Sequence, residues 1–432
     1  MRIDFCEKNV LKGTPRMQLK VILNSIERHK GFVYQDAYWD PDSKKKQILI
    51  GIKPRTGSKG ICSGCGVKGT TYDTLAARLF QFVPLWGILV FFVYAMRRID
   101  CKACGPTVEM VPWAEGKSPT TRSLAWFLAG WAKRMSMADV AAAFSIGWHT
   151  VYESVKMAVD WGLKNRDLSS IKAIGIDEIA WQKGHKYLTL VYQIDAGCKR
   201  LLWVGAERSE ETLKAFFRWF TKERTSRLEY ICSDMWRPYL NIIRAWAGDA
   251  VHILDRFHIM SHFGKAIDKV RAEEHRALKN QGKDTLKHSR WCLLKRQENL
   301  TDSQTNKLNE LLRYNLRSVR AYLLKEDFQQ LWTYKSIGWA KKFMDQWCRR
   351  TMRSRIEPMK DVARMIRTHQ ELILNWFEAK GTISAAAVEG LNNKSKVTIR
   401  KSYGFNTYQA QRIMLFHTVG ELPMPDFTHK FF

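Results

Sequence analysis

The chain has 432 residues, enough for roughly two to four domains with cores of their own. Hydrophobic residues make up 45% and aromatics 12%, which excludes a chain that stays disordered throughout. With 71 Lys+Arg against 42 Asp+Glu, the net charge is +29, spread along the chain and not gathered in one tail; a polyanionic partner, above all nucleic acid, is the physical reason for such an excess.

The N-terminus, MRIDFCEKNV, lacks a basic segment followed by an apolar run, so it does not read as a signal peptide. The first hundred or so residues hold short β-like runs: Gly31-Phe32-Val33, then Lys46 to Ile52. Residues 79–96, LFQFVPLWGILVFFVYAM, approach the length of a membrane span. Pro84, Gly87 and Gln81 interrupt it, and it is rich in β-branched and aromatic residues, so we expect two strands meeting at Pro84-Leu85-Trp86-Gly87 and no membrane association.

Nine cysteines, an odd number, argue against a secreted disulfide scaffold. Four are paired by spacing. ICSGCG sets Cys62 two residues from Cys65, and IDCKACG does the same for Cys101 and Cys104. Each pair can clamp one side of a tetrahedral ion, with Gly64, Gly66 and Gly105 supplying permissive backbone. Four thiolates favour zinc over an iron–sulfur cluster, and leave no position for a catalytic water, so the ion's role would be structural. Cys6, Cys198, Cys232, Cys292 and Cys348 read as small buried hydrophobes. GIKPRTGSKG, at 51–60, has the wrong residue order for a phosphate-binding P-loop.

Helices are expected from Ser118-Pro119, with Pro at the first helical position, and from Ser136-Met137-Ala138-Asp139, a capping pattern. Ile146-Gly147-Trp148 breaks the second helix, and a third runs from about His149 to Trp161. Residues 136–158 thus have the form helix, glycine turn, helix. Val140, Ala143, Phe144, Ile146, Val151 and Val155 can pack it, and Trp148, His149, Thr150, Tyr152 and Glu153 would begin a DNA-recognition helix; an ordinary helical hairpin has the same pattern.

From residue 172 the period changes. IKAIGID, KYLTLVYQID and RLLWVGAE read as strands, Ser209 to Glu223 as a helix, LEYICSD as a strand, Arg237 to Trp246 as a helix and AVHILD as a strand. This order predicts a mixed sheet covered by helices. Residues 257–380 read as almost wholly helical, with a capping signal at Thr301-Asp302-Ser303-Gln304 and an apolar stripe through Leu308, Leu311, Leu312, Val319 and Leu323 that Asn315 and Leu316 break. Beyond lie a short helix around Ala385–Glu389, a basic run, and a helix near Tyr408–His417.

Asp177 is expected at the end of the first of these strands and Asp234 at the end of the fourth, ends that such a sheet makes neighbours. Paired carboxylates repel unless a cation lies between them, and oxygen donors suit magnesium or manganese. A third acid would complete a two-metal site for in-line attack at phosphorus. Glu389 is the best candidate, because Lys394, Lys396, Arg400 and Lys401 follow it and could hold a phosphate backbone. Spacing alone leaves Glu178 or Asp195 open in place of Asp177, Asp255 in place of Asp234, and Glu371 or Glu378 in place of Glu389.

Taken together, the motifs resemble bacterial insertion-sequence transposases of the ISL-three family, DDE enzymes with an RNase H-like core. ICSGCG and RRIDCKACG look like the family's zinc-binding module, SMADVAAAFSIGWHTVYESV like its helix-turn-helix, and IGIDEIAW, SDMWRPY and AAAVEGLNNKSK like its three catalytic segments. DRFHI looks like its D-x-x-H step. The resemblance implies an α/β multidomain fold: a zinc-binding β module (1–112), a helix-turn-helix (113–165), the first part of an RNase H-like mixed-sheet core (166–260), an all-helical insertion (261–380) and the core's completion with a basic tail (381–432). It implies catalytic acids Asp177, Asp234 and Glu389, with Asp255 and His258 in support. It also implies two Mg2+ or Mn2+ ions at the acids and one structural Zn2+. The partners would be double-stranded DNA, both the element's terminal inverted repeats and the target, and a second copy of the chain, since two ends must be joined. The protein would lie in the bacterial cytoplasm, on the nucleoid when bound to DNA. A DNA-binding regulator or a structure-specific nuclease on the same fold is the competing expectation.

Overall fold

The structure is a computed structural model that describes residues 18–40, 43, 46–182, 184, 186–379, 385–401 and 407–426. Cys6 lies outside them. The chain divides into two compact units, residues 1–166 with 422–432, and residues 167–421.

In the first unit a short helix α1 (Leu19–Ile26) precedes strands β1 (Phe32–Trp39), β2 (Gln47–Pro54), β3 (Gly60–Ile61), β4 (Lys68–Leu85), β5 (Ile88–Cys101) and β6 (Gly105–Val108). They form one sheet in the order β1-β2-β5-β4-β3, with β6 on the far end of β5. The apolar run at 79–96 is the tip of the β4–β5 hairpin. Leu85 pairs with Ile88, and Trp86 and Gly87 both take positive φ (47° and 79°), as a two-residue hairpin turn requires. Its apolarity follows from period-two burial. Phe80, Val90, Phe92, Tyr94 and Met96 are buried, and they pack around Trp113, whose ring meets Tyr94 and Phe80 edge-on. Among the described residues no helix is long and apolar enough to cross a membrane.

Three helices follow: α2 (Arg122–Ala132), α3 (Met137–Ala143) and α4 (Trp148–Asn165). The first begins later than Ser118-Pro119 predicts. The Pro119 carbonyl and the Thr121 N–H both bond to Gln81 of β4, which keeps this segment extended, and Thr121 instead caps the helix at Leu124 N. Ser136 caps α3 by accepting from Asp139 N. The α3–α4 break is a Schellman turn: Ser145 is left-handed (φ 51°), and the Ile146 and Ser145 N–H groups reach the Ala141 and Ala142 carbonyls. Val140, Val151 and Val155 are buried, while Ala143 is exposed, contrary to its expected packing role.

The second unit opens with β7 (Ala173–Gln182), β8 (Lys186–Asp195) and β9 (Cys198–Ala206), an antiparallel run. Helix α5 (Glu210–Phe220) follows, and Thr221, at φ 71°, separates it from the single turn α6 (Lys222–Thr225), so the helix expected to Glu223 stops early. Then come β10 (Tyr230–Ser233), α7 (Arg237–Trp246) and β11 (Val251–Leu254). The sheet order is β11-β10-β7-β8-β9, with β10 parallel to β7 and to β11. Ile174, Ile176 and Val191 pack on one face against Leu213, Phe216 and Phe217 of α5 and Ile242 and Ile243 of α7.

A helical body follows β11: α8 (Arg256–Asn280), α9 (Arg290–Leu294), α10 (Asp302–Leu311), α11 (Arg317–Gln329), α12 (Ile337–Met352), α13 (Glu357–Thr368) and α14 (Gln370–Glu378). Its core joins Phe263, Phe328, Met344, Trp347 and Ile366, and Leu254 of β11 belongs to the same cluster. Thr301 and Gln304 form a full capping box at α10. The stripe predicted across 308–323 falls on two helices, with Leu308, Leu311 and Val319 buried and Leu312 and Leu323 exposed. Finally, α15 (Ala385–Lys401) and α16 (Tyr408–Val419) cover the other face of the sheet. The alanine-rich helix and the basic run are thus one helix. Gly175 of β7 is what lets α15 seat there: a Cβ at this position would lie 2.5 Å from Val388 Cγ2.

Candidate active site and metal centre

Asp177 does not end its strand. Ile179 and Ala180 continue pairing with β8, and β7 runs to Gln182. What ends is the parallel ladder on its other side, whose last pair is Cys232 with Gly175. Asp177 therefore stands where β7 loses its β10 neighbour, and Asp234 is the residue that leaves β10. Side chains alternate along a strand, so Gly175 and Asp177 face α15, whereas Ile174, Ile176 and Glu178 face α5 and α7.

On the α15 face, the Asp177 carboxylate accepts from the Glu178 N–H and from the Asn392 side-chain amide. His258 Nε2 lies 3.7 Å from Asp177 Oδ1 and 3.9 Å from Asp255 Oδ2. Asp255 is the N-cap of α8, accepting from Phe257 N at 2.8 Å, which puts His258 in the helix's first turn. Ligand atoms of Asp177, Asp255 and His258 all lie within 4.8 Å of one another. Burial, with the nearby charges of Asp177 and Glu389, pushes the Asp255 carboxyl up to about 6. The adjacent Asp177 carboxylate raises the His258 imidazole, and the charges of Asp255 and Asp234 add to the effect. Glu389 itself is exposed.

Asp234 is held differently. Its Oδ1 accepts from Trp236 N at 2.9 Å and its Oδ2 from Arg208 Nη2 at 2.8 Å. Arg208 stacks over Trp236, 4.6 Å from the ring centroid, and its Nε lies 3.2 Å from Glu178 Oε1. Burial pushes the Glu178 carboxyl up to about 7, and the Asp234 charge adds to this. Behind Asp234, Ser233 Oγ donates to the Asp234 carbonyl and meets His252 Nε2 at 2.8 Å.

Of the alternatives left open, Asp195 lies at the far end of β8, paired with Cys198 and accepting from Lys172 N. Glu178 points to the opposite face from Asp177. Glu371 and Glu378 lie on α14, exposed. Lys394, Lys396, Arg400 and Lys401 are exposed along α15. In the first unit Trp148 and His149 are exposed at the start of α4, Thr150 and Tyr152 are half-buried, and the Trp148 and Tyr152 rings stack at 5.6 Å. Arg208, Asn392 and Tyr192 were not anticipated. A signal for Asn392 was present: Val388, Leu391, Asn392 and Ser395 share one face of a helix, so two polar residues occupy its apolar stripe.

The four paired cysteines converge. Cys62, Cys65, Cys101 and Cys104 lie with all Sγ atoms within 4.8 Å, and Cys65 Sγ is 3.4 Å from Cys101 Sγ. Gly66 and Gly105 are left-handed (φ 74° and 70°), as the knuckles require. Backbone N–H groups of Cys65 and Gly64 pull the Cys62 thiol down to about 6. The donor set fits a tetrahedral zinc ion. Of the remaining cysteines, Cys232, Cys292 and Cys348 are buried and Cys198 is half-buried.

A mixed sheet that sets buried carboxylates and an imidazole at the edge of a parallel ladder, in a strongly basic chain, defines a class of enzyme acting on a phosphodiester backbone. Comparison with known proteins makes the class specific. A family profile for DDE transposases of the ISL-three type, described as transposase, matches residues 174–415. The chain is similar to the transposase for insertion sequence element IS1001 of Bordetella parapertussis, 28% identical over 388 residues, spanning 89% of this chain and 94% of that one. It is also similar to the transposase for insertion sequence element IS1557 of Mycobacterium tuberculosis, 28% identical over 390 residues, spanning 84% and 86%. The chain belongs to the ISL-three family of DDE transposases, enzymes that cleave DNA and transfer its strands.

Proposed function

We propose that Asp177, Asp234 and Glu389 are the catalytic acids of this transposase and that Asp255 and His258 support them. The observation that carries this reading is the convergence of Asp177, Asp255 and His258 within 4.8 Å, with the charges of Glu389 and Asp234 felt at the same groups. Hard carboxylate oxygens gathered at one end of the parallel ladder fit two Mg2+ or Mn2+ ions. When bound, such ions supply an activated oxygen nucleophile and charge stabilisation at the leaving oxygen. The protein's part is placement. Strands β7 and β10 fix the first two carboxylates, α15 brings the third, and the exposed cations of α15 hold the DNA backbone in reach. Water attack would free a 3′-OH at the element end, and the same site would direct that 3′-OH against target DNA.

In this reading residues 1–112 are a zinc module closed by Cys62, Cys65, Cys101 and Cys104. Residues 113–165 are a helix-turn-helix whose Trp148, His149, Thr150 and Tyr152 face the terminal inverted repeats. Residues 166–260 and 381–432 make an RNase H-like core, and 261–380 is its helical insertion. The working species is a homodimer on two DNA ends, in the cytoplasm. The test is a magnesium-dependent strand-transfer assay with the element's own flanking ends and a target plasmid. Wild type should cleave and join. Asp234→Asn and Glu389→Gln should each lose at least about a thousandfold while still binding the ends. Cleavage at the wild-type rate by either variant would remove that acid from the site.

A further inference from the structure

Helix α15 brings more than Glu389 to the sheet. Asn392, Ser395 and, from β8, Tyr192 are buried beneath it at 4%, 0% and 0% exposure, and they are joined in one hydrogen-bonded line. The Tyr192 hydroxyl donates to Asn392 Oδ1 at 2.7 Å and lies 3.0 Å from Ser395 Oγ. Having spent its one proton on Asn392, it can only accept from Ser395. The amide is oriented from the other end: an ionised carboxylate only accepts, so Nδ2 must face Asp177 Oδ2, to which it donates, and Oδ1 is left to accept from the tyrosine. The line ends on Asp177. On the other carboxylate oxygen, Oδ1, stand the Glu178 N–H and His258.

We infer that Asn392 is a positioning residue for the first catalytic acid: its amide, anchored at Oδ1 by Tyr192, fixes the rotation of the Asp177 carboxylate and so the direction in which it offers lone pairs to a divalent cation. The inference rests on Asp177 being a metal-binding acid, as proposed above. Two features favour a functional role over packing alone. An apolar side chain would fill this helix face at less cost than three polar groups that must all be satisfied. The β7–β8 ladder fixes the Asp177 backbone but not the rotation of its carboxylate, so what the Asn392 bond adds is orientation.

The test uses the full-length protein on DNA ends, with Mn2+ binding followed by electron paramagnetic resonance and cleavage measured at saturating Mn2+. In Asn392→Ala we expect the Mn2+ midpoint to rise about tenfold and the cleavage rate to fall by a similar factor, with DNA affinity unchanged. In Tyr192→Phe, which keeps the packing, we expect a rise of about threefold. Adding Tyr192→Phe to Asn392→Ala should change nothing more, because the tyrosine acts only through the amide. A wild-type midpoint in Tyr192→Phe and in folded Asn392→Ala would overturn the inference, as would effects that multiply in the double variant. Asp177→Asn is the control. If it keeps Mn2+ binding and cleavage, the acid assignment itself fails; if it loses both while Asn392→Ala matches wild type, only the positioning role fails.

Discussion

Asp177 and Glu178 are neighbours in sequence and lie on opposite faces of the sheet, so their substitutions should separate. Asp177→Asn should abolish cleavage. Glu178→Gln removes the ion pair that steadies Arg208, and should retain cleavage within about tenfold, as expected of a residue acting through another; single-turnover rates on a labelled end would decide. A second prediction concerns pH. Burial pulls the His252 imidazole down to about 4, and Arg244 adds to this. The unfolded chain takes up that proton near 6.5 and the folded chain only near 4, so stability falls as pH drops between these values and this contribution levels off below both. The loss is about 3 kcal/mol at most. Thermal melts between pH 7 and 4.5 should be flatter for His252→Gln, which keeps a donor for Ser233, than for wild type. Asp177 and Asp234 stood out in the sequence because carboxylates beside apolar strands are conspicuous. Arg208 did not, since nothing local to it signals that it clasps Asp234 from 26 residues away.

Strands and helices were legible where an apolar run or stripe is bounded by polar residues, as in β8, β9, β11 and α7. Their ends were less so. The limit of β7 depends on which neighbour still pairs with it, and the α2 start on a bond to a distant strand, neither of which a local window contains. Two element-level predictions follow from close approaches. Gly175→Ala places a methyl against Val388 and should push α15 off β7, destabilising by about 1–3 kcal/mol and cutting cleavage more than DNA binding. Just past the end of β6, Glu109 has no exposed side-chain surface, accepts from the Arg97 backbone and guanidinium and from the Tyr94 hydroxyl, and pairs through its backbone with Cys62. Glu109→Ala strands a buried cation and should cost about 3–5 kcal/mol, read as a lower urea midpoint. Arg97→Met with Glu109→Leu should recover much of that loss.

For the whole molecule, the sulfur centre and the acidic centre lie in different compact units. A strong zinc chelator, or Cys62→Ser, should therefore lower the unfolding transition of the first unit and leave that of the second near its wild-type temperature, which calorimetry would resolve as two peaks. A single transition moving as one would contradict this independence. The charge of +29 predicts that end binding weakens steeply with salt, by roughly one power of concentration for each phosphate neutralised. Composition and period pointed to a mixed α/β fold, and the motifs grouped Asp177, Asp234 and Glu389; the bonds from Asn392 and Tyr192 that surround Asp177 became visible only in three dimensions.

The seating of α15 on β7 has a consequence for how the enzyme is made. Asn392 follows Asp177 by 215 positions, so at translation speeds of roughly 5–20 residues per second the ribosome delivers the first acid some ten to forty seconds before the helix that completes its surroundings. During that interval, and in every nascent chain that stalls within it, β7 presents Asp177 with neither Asn392 nor Glu389 beside it. On the acid assignment proposed above, a premature product would lack Glu389 and with it part of the reactive centre, which would be complete only in a molecule whose translation has passed α15.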